Sequence, residues 1–391
     1  MTKLGLIALA LMISLPVVAQ DGAPAEEPVR RAPPRLDEIV VTAQKRAESV
    51  QDVPIAVSVM TAERLKASNM ENFEDVALAT PNTEINMTPG YVQVGMRGLN
   101  APINDGMEQS VGFYVDGIYY GKTAFLQDAF LDLERVEMLK GPQGTLFGKN
   151  TIAGAINIHT ARPVHEFAAG GQIGISEMGG KKGELMLNVP IIDDTLAGRL
   201  SATWHKRDGY VENIMRGTDE KRVDKWGVRG KVLYEATDAL DIAVTLYAGR
   251  AQDNGQGWEP FVLAPNARLI HGAFNPELEA KADFVGHADA DNRSESDTRS
   301  INMEANRDIG RYAVTLIAGG GMLDEHFLLD GDTASAPIVI WDNDDEYWQS
   351  MAELRVVTEP FDTGWGEVDV IAGLFGFVSD YHGQSELREP R

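Results

Sequence analysis

From residue 164 onward, hydrophobic and polar positions alternate with a period of two, in segments separated by Gly, Asp and Asn turns. Leu196, Gly198, Leu200, Ala202 and Trp204 form one set, with Arg199, Ser201, Thr203 and His205 between them. Trp226, Val228, Val232 and Tyr234 likewise oppose Arg229, Lys231 and Glu235, and Leu240, Ile242, Val244 and Leu246 oppose Asp241, Ala243, Thr245 and Tyr247. Leu354 and Val356 oppose Glu353 and Arg355. Successive side chains of a strand point to opposite faces, so each segment reads as a strand with one apolar and one polar face. About nine such strands are predicted, near 167–176, 183–190, 195–207, 225–235, 240–250, 298–307, 312–322, 349–358 and 367–381. A soluble sandwich also alternates, but an apolar face edged by aromatics such as Trp204, Trp226 and Tyr234 is the pattern of a transmembrane barrel. The connections support this: 189–194 and 236–239 are short turns, whereas 208–224, 252–295 and 325–347 are long loops, the asymmetry of periplasmic turns and extracellular loops.

Residues 51–163 follow a different rule. A strand is predicted over 55–59, followed by short helical turns capped by Thr61 and by Asn69 or Asn72. After Pro81 the pattern is strand and turn, over 92–98, 111–117, 136–139 and 154–158, with a Gly or Asn at each break. This is a compact α/β unit.

The amino-terminal region belongs to neither. Lys3 precedes an apolar run over 4–18, and Val17, Val18 and Ala19 before Gln20 have the small-residue character of a cleavage site, so 1–19 reads as a secretory signal. The run is too short, with Pro16 near its end, for a membrane span. Residues 20–36 carry Pro24, Pro28, Pro33 and Pro34 without apolar periodicity and read as an extended linker. Within 37–43 lies an isolated β-prone piece, which can add either to the domain behind it or to the sheet edge of a partner.

Composition narrows the chemistry. The 391 residues carry 59 Asp and Glu against 35 Lys and Arg, a net charge of −24, with 43% hydrophobic and 24% charged residues. Such a polyanion repels nucleic acid. The absence of Cys removes disulfide scaffolds, thiolate metal sites and Cys nucleophiles. Gly117-Ile118-Tyr119-Tyr120-Gly121-Lys122-Thr123 mimics a phosphate loop but has one residue too few between its glycines. The seven His are scattered, His165-Glu166 lacks a second His four residues on, and no catalytic constellation or cofactor site emerges, so an enzyme is not expected. The acidic stretch 324–346, with Asp342, Asp344 and Asp345 as candidate ligands, could hold a hard cation, against the plainer reading of a solvated loop. Asp289 with Asp291 is a weaker version.

The chain resembles the TonB-dependent outer-membrane receptors. Glu38-Ile39-Val40-Val41-Thr42-Ala43 looks like a TonB box. Ser110 through Gly117, Leu133-Glu134-Arg135-Val136-Glu137-Met138-Leu139-Lys140-Gly141-Pro142-Gln143-Gly144, Leu146-Phe147-Gly148 and Gly154-Ala155-Ile156-Asn157 look like the family's plug signature. Ala352-Glu353-Leu354-Arg355-Val356 and Ala372-Gly373-Leu374-Phe375 resemble its barrel strands more weakly.

The resemblance implies a signal peptide (1–19), a linker with the box (20–50), an α/β plug inside the barrel (51–163) and an antiparallel membrane β-barrel (164–391) in the outer membrane of a Gram-negative bacterium. The implied function is active uptake of a scarce small-molecule ligand, with a ferric siderophore as the leading cargo and haem, cobalamin or glycan as competitors. TonB, with its inner-membrane energising complex, would pair with the box, which the linker leaves free. No resident cofactor is implied; a bound Fe(III)-chelate would be the transported ligand. By the same analogy Arg97, Gly98, Glu134, Arg135, Glu137 and Lys140 would pack and lock the plug, and Asn86, Tyr91, Asn100, Tyr119, Tyr120 and Phe125 mark turns facing ligand. Two departures stand out. A barrel of this kind closes with about 22 strands and needs roughly 220 residues in strands alone, so about nine strands leave it incomplete, and the chain reads as a fragment or an early-terminated receptor whose plug alone would bind ligand or TonB. The stretch 20–37 is also too short for an added signalling domain, which favours transport without transcriptional signalling.

Overall fold

The computed structural model describes residues 40–388 apart from 43, 47, 89–90, 101–108, 128–129, 255–280, 282 and 332–338. The signal and linker segments, with Glu38 and Ile39, and Ala43 lie outside the described residues.

The described chain begins with two short antiparallel strands, β1 (Val40–Val41) and β2 (Glu48–Ser49). There follow β3 (Val57–Thr61), α1 (Ala62–Ala67) and α2 (Phe73–Leu78). Thr61 caps α1 by accepting from the Arg64 amide at 3.4 Å, and Asn72 caps α2 by accepting from the Asp75 amide at 2.9 Å. Asn69, the other candidate cap, instead takes a positive φ of 51° beyond the end of α1. Next come β4 (Thr83–Thr88), β5 (Tyr91–Met96), β6 (Leu99–Asn100), β7 (Val111–Val115), β8 (Ile118–Tyr120), β9 (Leu133–Lys140), α3 (Gly144–Phe147) and β10 (Gly154–Thr160). β4, β5 and β6 form a small sheet, while the main sheet runs β3-β9-β10-β7-β8, antiparallel except where β10 lies beside β7.

That main sheet is buried on both faces. Every residue of β7 is buried, as are Ile118, Val136, Met138, Leu139, Ile156 and Ile158. Both faces can be dry because a second layer closes the sheet in, and Ile317, Leu323, Tyr347 and Met351 of the later strands join the same hydrophobic core.

The later strands are β11 (Ala168–Ile175), β12 (Lys181–Ile192), β13 (Leu196–Arg207), β14 (Val211–Asn213), β15 (Thr218–Glu220), β16 (Arg222–Thr237), β17 (Leu240–Asn254), β18 (Val285–Gly286) and β19 (Arg293–Ile309). After them come β20 (Tyr312–Asp330), β21 (Ile340–Thr358), β22 (Phe361–Asp362), β23 (Glu367–Val368) and β24 (Ile371–Arg388). Nine of these make one antiparallel sheet in the order β11-β12-β13-β16-β17-β19-β20-β21-β24, each strand beside its predecessor in that list. Among the described residues the sheet is open, with β11 and β24 at its edges. No described helix is long and apolar enough to cross a membrane.

The predicted alternation holds on this sheet. Leu246, Ile301 and Met322 are each 56% exposed on the outer face, while Thr245, Asn302 and Leu323 beside them are buried against the plug. Trp204 and Trp226 face each other across β13 and β16 on the outer surface. One expectation is corrected. The stretch 325–347 is mostly strand, because β20 and β21 pair continuously from Tyr312↔Thr358 to Asp330↔Ile340. A crossing needs only about 9–11 residues, and a ladder that continues beyond the lipid can carry polar side chains on both faces, so hydrophobic alternation stops before the hydrogen bonding does.

Candidate functional site

The end of the β9–β10 ladder builds the first part of the site. Glu137 faces Asn157, and Arg135 faces His159, on alternate rungs and so on the same face. Glu137 is fully buried and accepts from Arg135 Nε at 2.8 Å and Asn157 Nδ2 at 3.2 Å, with His159 Nε2 at 3.4 Å. Burial alone would raise its pKa, but His159 and Arg135 hold the carboxylate down to about 2. Thr42 docks on this group: its amide donates to Glu137 Oε1 at 3.0 Å, and its hydroxyl lies 3.0 Å from His159 Nε2. Beside it Val41 is fully buried, whereas Val40 is half exposed.

The segment is also tied to the large sheet. Lys45 Nζ pairs with Glu353 of β21 at 3.3 Å and sits 4.7 Å from the Phe147 ring centroid. Burial lowers the Lys45 pKa and Glu353 opposes the shift. Arg46 pairs with Glu48 at 2.5 Å and with Asp369, just before β24. The expectation of a free box segment is therefore corrected for Val40, Val41 and Thr42, which are docked. The reason is that the Val41 side chain finds the apolar core and the Thr42 amide finds a buried acceptor.

Polar pins fasten the plug to the inner face of the sheet. Asp116, in the β7–β8 turn, accepts from Lys231 Nζ at 3.0 Å, the Thr160 hydroxyl at 2.6 Å and the Thr160 amide at 2.8 Å. Burial would raise the Asp116 pKa, but the Lys231 charge and the Thr160 bonds bring it to about 2. Asp132 receives two bonds from Arg199, both at 2.6 Å, and one from Ser201 at 2.5 Å. Arg229 donates to the Leu131 carbonyl. Gln349 clasps the turn after β8, donating to the Tyr119 carbonyl at 2.6 Å and accepting from the Gly121 amide at 2.9 Å.

Sequence reasoning named other positions for locking, and the structure distributes them differently. Glu134 pairs with Arg135, Lys140 Nζ donates to Ser58 at 2.9 Å, and Arg97, in a positive-φ turn with Gly98, lies over Gly141. These contacts lie within the plug. The wall partners Lys231, Arg199 and Gln349 were visible in the sequence only as members of a polar face.

Three of the proposed ligand-facing residues are corrected. Tyr119, Tyr120 and Phe125 are buried, with Tyr119 against Phe377 (5.3 Å between centroids), Tyr120 against Phe125 (4.6 Å) and Phe125 against Tyr347 (6.3 Å). An aromatic plug turn meeting an apolar part of the wall gains more by burial than by waiting in water for a ligand. Asn86 and Asn100 are exposed, and both donate to Glu84, at 3.0 and 3.4 Å. Tyr91 opens β5. Residues 101–108 lie outside the described residues.

Of the acidic candidates, Asp342 and Asp344 come together with His326, ligand atoms within 4.8 Å of one another. His326 was not foreseen; it faces Asp344 across the β20–β21 ladder and contacts it at 2.6 Å. Asp345 turns to Tyr381, whose hydroxyl donates to it at 2.7 Å.

Among the described residues, cavities lie between the plug and the sheet, and two of them bear on the site. One of about 350 Å³, at the long-loop end of the sheet, lies between Phe73, Glu74 and Met87 and the wall strands β12, β13, β16 and β17. The other, about 290 Å³, is bounded by the docked Thr42 and Lys45, by Asp116 and His159, and by Thr245 and Glu304 of the wall.

An α/β domain buried against the polar inner face of an antiparallel sheet, whose outer face is apolar and aromatic, is the architecture of a plugged membrane β-barrel. Residues 49–155 match the sequence model of the TonB-dependent Receptor Plug Domain. The pesticin receptor of Yersinia pestis is 29% identical over 185 residues, 46% of this chain and 27% of that protein. The vitamin B12 transporter of Vibrio vulnificus is 30% identical over 131 residues, 32% of this chain and 20% of that protein. Among solved structures, the ferric yersiniabactin uptake receptor from Yersinia pestis matches with a TM-score of 0.69 at 20% identity, covering 86% of this chain and 50% of that one. The ferripyoverdine receptor of Pseudomonas aeruginosa matches with a TM-score of 0.71 at 16% identity, covering 88% and 45%. The chain spans about a quarter of the first curated relative and about half of these solved receptors.

Proposed function

We propose that this chain serves TonB-dependent uptake of a scarce small-molecule ligand across the outer membrane, with a ferric siderophore as the cargo. The single observation that carries the reading is the docking of Thr42 on buried Glu137, beside the buried Val41 and half-exposed Val40. A segment stored as a short strand with a half-exposed edge suits capture by another protein's sheet edge, and its bond to Glu137 gives a pull on it a direct connection to the plug sheet. The relatives' names, which include iron-siderophore and vitamin B12 receptors, support uptake as the shared activity. TonB and its inner-membrane complex are the proposed energy source, and the Fe(III)-chelate is cargo, not a resident cofactor.

Val40→Pro removes a backbone donor from the captured strand. Cells carrying this variant of the receptor should bind the chelate at wild-type level and lose uptake. Wild-type uptake would reject the assignment.

A further inference from the structure

The loop-end cavity carries a row of bases that takes no part in holding the docked segment. Lys182, His205 and Lys225 are register neighbours on β12, β13 and β16, so all three point to the inner face at one height. Arg207, two residues further along β13, adds a guanidinium to the same face, and all four line the 350 Å³ cavity. Such a concentration is notable in a chain of net charge −24.

The acidic groups lining this cavity are already engaged. Glu71 and Glu184 both lie on Lys182, at 3.4 and 2.9 Å. Glu74 accepts from the Met87 amide at 2.8 Å. Asp253 reaches Lys225 only at 3.8 Å, a loose pair. Among the described residues Arg207 has no carboxylate partner. Its Nη2 donates to the Lys221 carbonyl at 3.0 Å, its plane rests 5.1 Å from the Tyr210 ring centroid, and its Nε is shielded from solvent without a hydrogen-bond partner. A guanidinium stacked on a ring and held at one nitrogen is fixed in orientation, which favours pairing with a planar oxygen acceptor.

We propose that the Lys182–His205–Lys225 row with Arg207 is the recognition wall for an anionic cargo bearing carboxylate groups, with Arg207 pairing with one carboxylate and Lys225 supplying a second positive charge. This rests on the uptake reading above and adds to it a ligand class. The cavity volume lies within the range of small-molecule sites, and an acid-rich protein gains a steering field at its mouth only where bases are gathered in this way.

The test uses outer-membrane vesicles carrying the receptor and two iron-loaded probes, ferric citrate as the anionic carboxylate chelate and ferrioxamine B as the cationic hydroxamate chelate. Retained radioactive iron is counted on the wild type, Arg207→Ala, Lys225→Ala, Arg207→Lys, and Arg250→Ala, which alters the opposite face. Ferric citrate should be retained at least tenfold better than ferrioxamine B. Arg207→Ala and Lys225→Ala should each lower that retention at least tenfold, Arg207→Lys should restore only part of it, and Arg250→Ala should leave it unchanged. Equal retention of both probes, preference for ferrioxamine B, or insensitivity to both alanine variants overturns the carboxylate assignment while leaving uptake standing. Retention of neither probe by any vesicle overturns both.

Discussion

Thr42 and Glu137 lie 95 positions apart, yet the amide of Thr42 donates to a carboxylate oxygen of Glu137 at 3.0 Å. The acceptor is fully buried, so the bond is charge-assisted and shielded from water. A docked amino-terminal segment thus reports on the ionisation of one plug carboxylate.

That carboxylate sets a pH window. Its pKa is about 2 in the folded protein, against about 4.3 for a free Glu. A depressed pKa means that the folded state binds the proton less readily than the unfolded state. The contribution is therefore complete above about pH 4.3 and falls away as pH drops toward 2, on the order of 3 kcal/mol in all. A thiol placed by Val41→Cys should react more slowly at pH 6 than the same thiol in the urea-unfolded chain at that pH, and this protection should fade below pH 4. Glu137→Gln should expose it already at pH 6 and flatten the profile; an unchanged profile in that variant would show that Glu137 does not hold the segment.

Lys231 and Asp116 form the buried pin between the wall and the plug. Lys231→Met leaves Asp116 charged and buried with only Thr160 as partner, at a cost of about 3–5 kcal/mol. Urea titration followed by limited proteolysis should release the plug at a lower midpoint in this variant. Lys231→Met with Asp116→Asn should recover part of the loss, because no charge is then stranded.

Gly117 has φ +80°, and a Cβ there would meet Ile317 Cδ1 at 2.7 Å. Gly117→Ala combines left-handed strain with a clash against the wall and should destabilise by about 1–3 kcal/mol. Thermal unfolding in detergent should show the drop. Adding Ile317→Ala should relieve the steric part and leave the backbone part.

Leu246 is exposed on the outer face, away from the plug. Leu246→Arg in the lipid-facing band should cost about 2–4 kcal/mol, whereas Ser296→Arg on the inner face should act through packing and not through lipid. Heat-modifiable migration and folding yield in lipid vesicles report the first. Equal yield for Leu246→Arg and wild type would place that face outside the membrane.

The nine wall strands were readable in the sequence because alternation is local: Leu200 and Ser201 are assigned to opposite faces by their own neighbours on β13. Their ends were less readable. β20 and β21 run on to Asp330 and from Ile340 through Asp324, Asp342 and Asp344, where no apolar stripe marks the strand. Five strands of the plug were found within two or three residues, but β4, β6 and β8 were not, nor were the strands' partners. Tyr119, Tyr120 and Phe125 look like exposed aromatics on a turn until the wall is brought against them.

By itself the sequence determined the strand periodicity, the apolar outer face, the α/β character of the plug and the β-prone strip at Val40 and Val41. Each of these depends on residues close together along the chain, where the two-residue pleat fixes which side a group occupies. Tertiary structure alone decided that Thr42 rests on Glu137, that Lys231 neutralises Asp116, and that Lys182, His205 and Lys225 form one row. Those relations depend on register between strands and on the seating of the plug, and burial then makes each unmatched charge costly enough to select its partner.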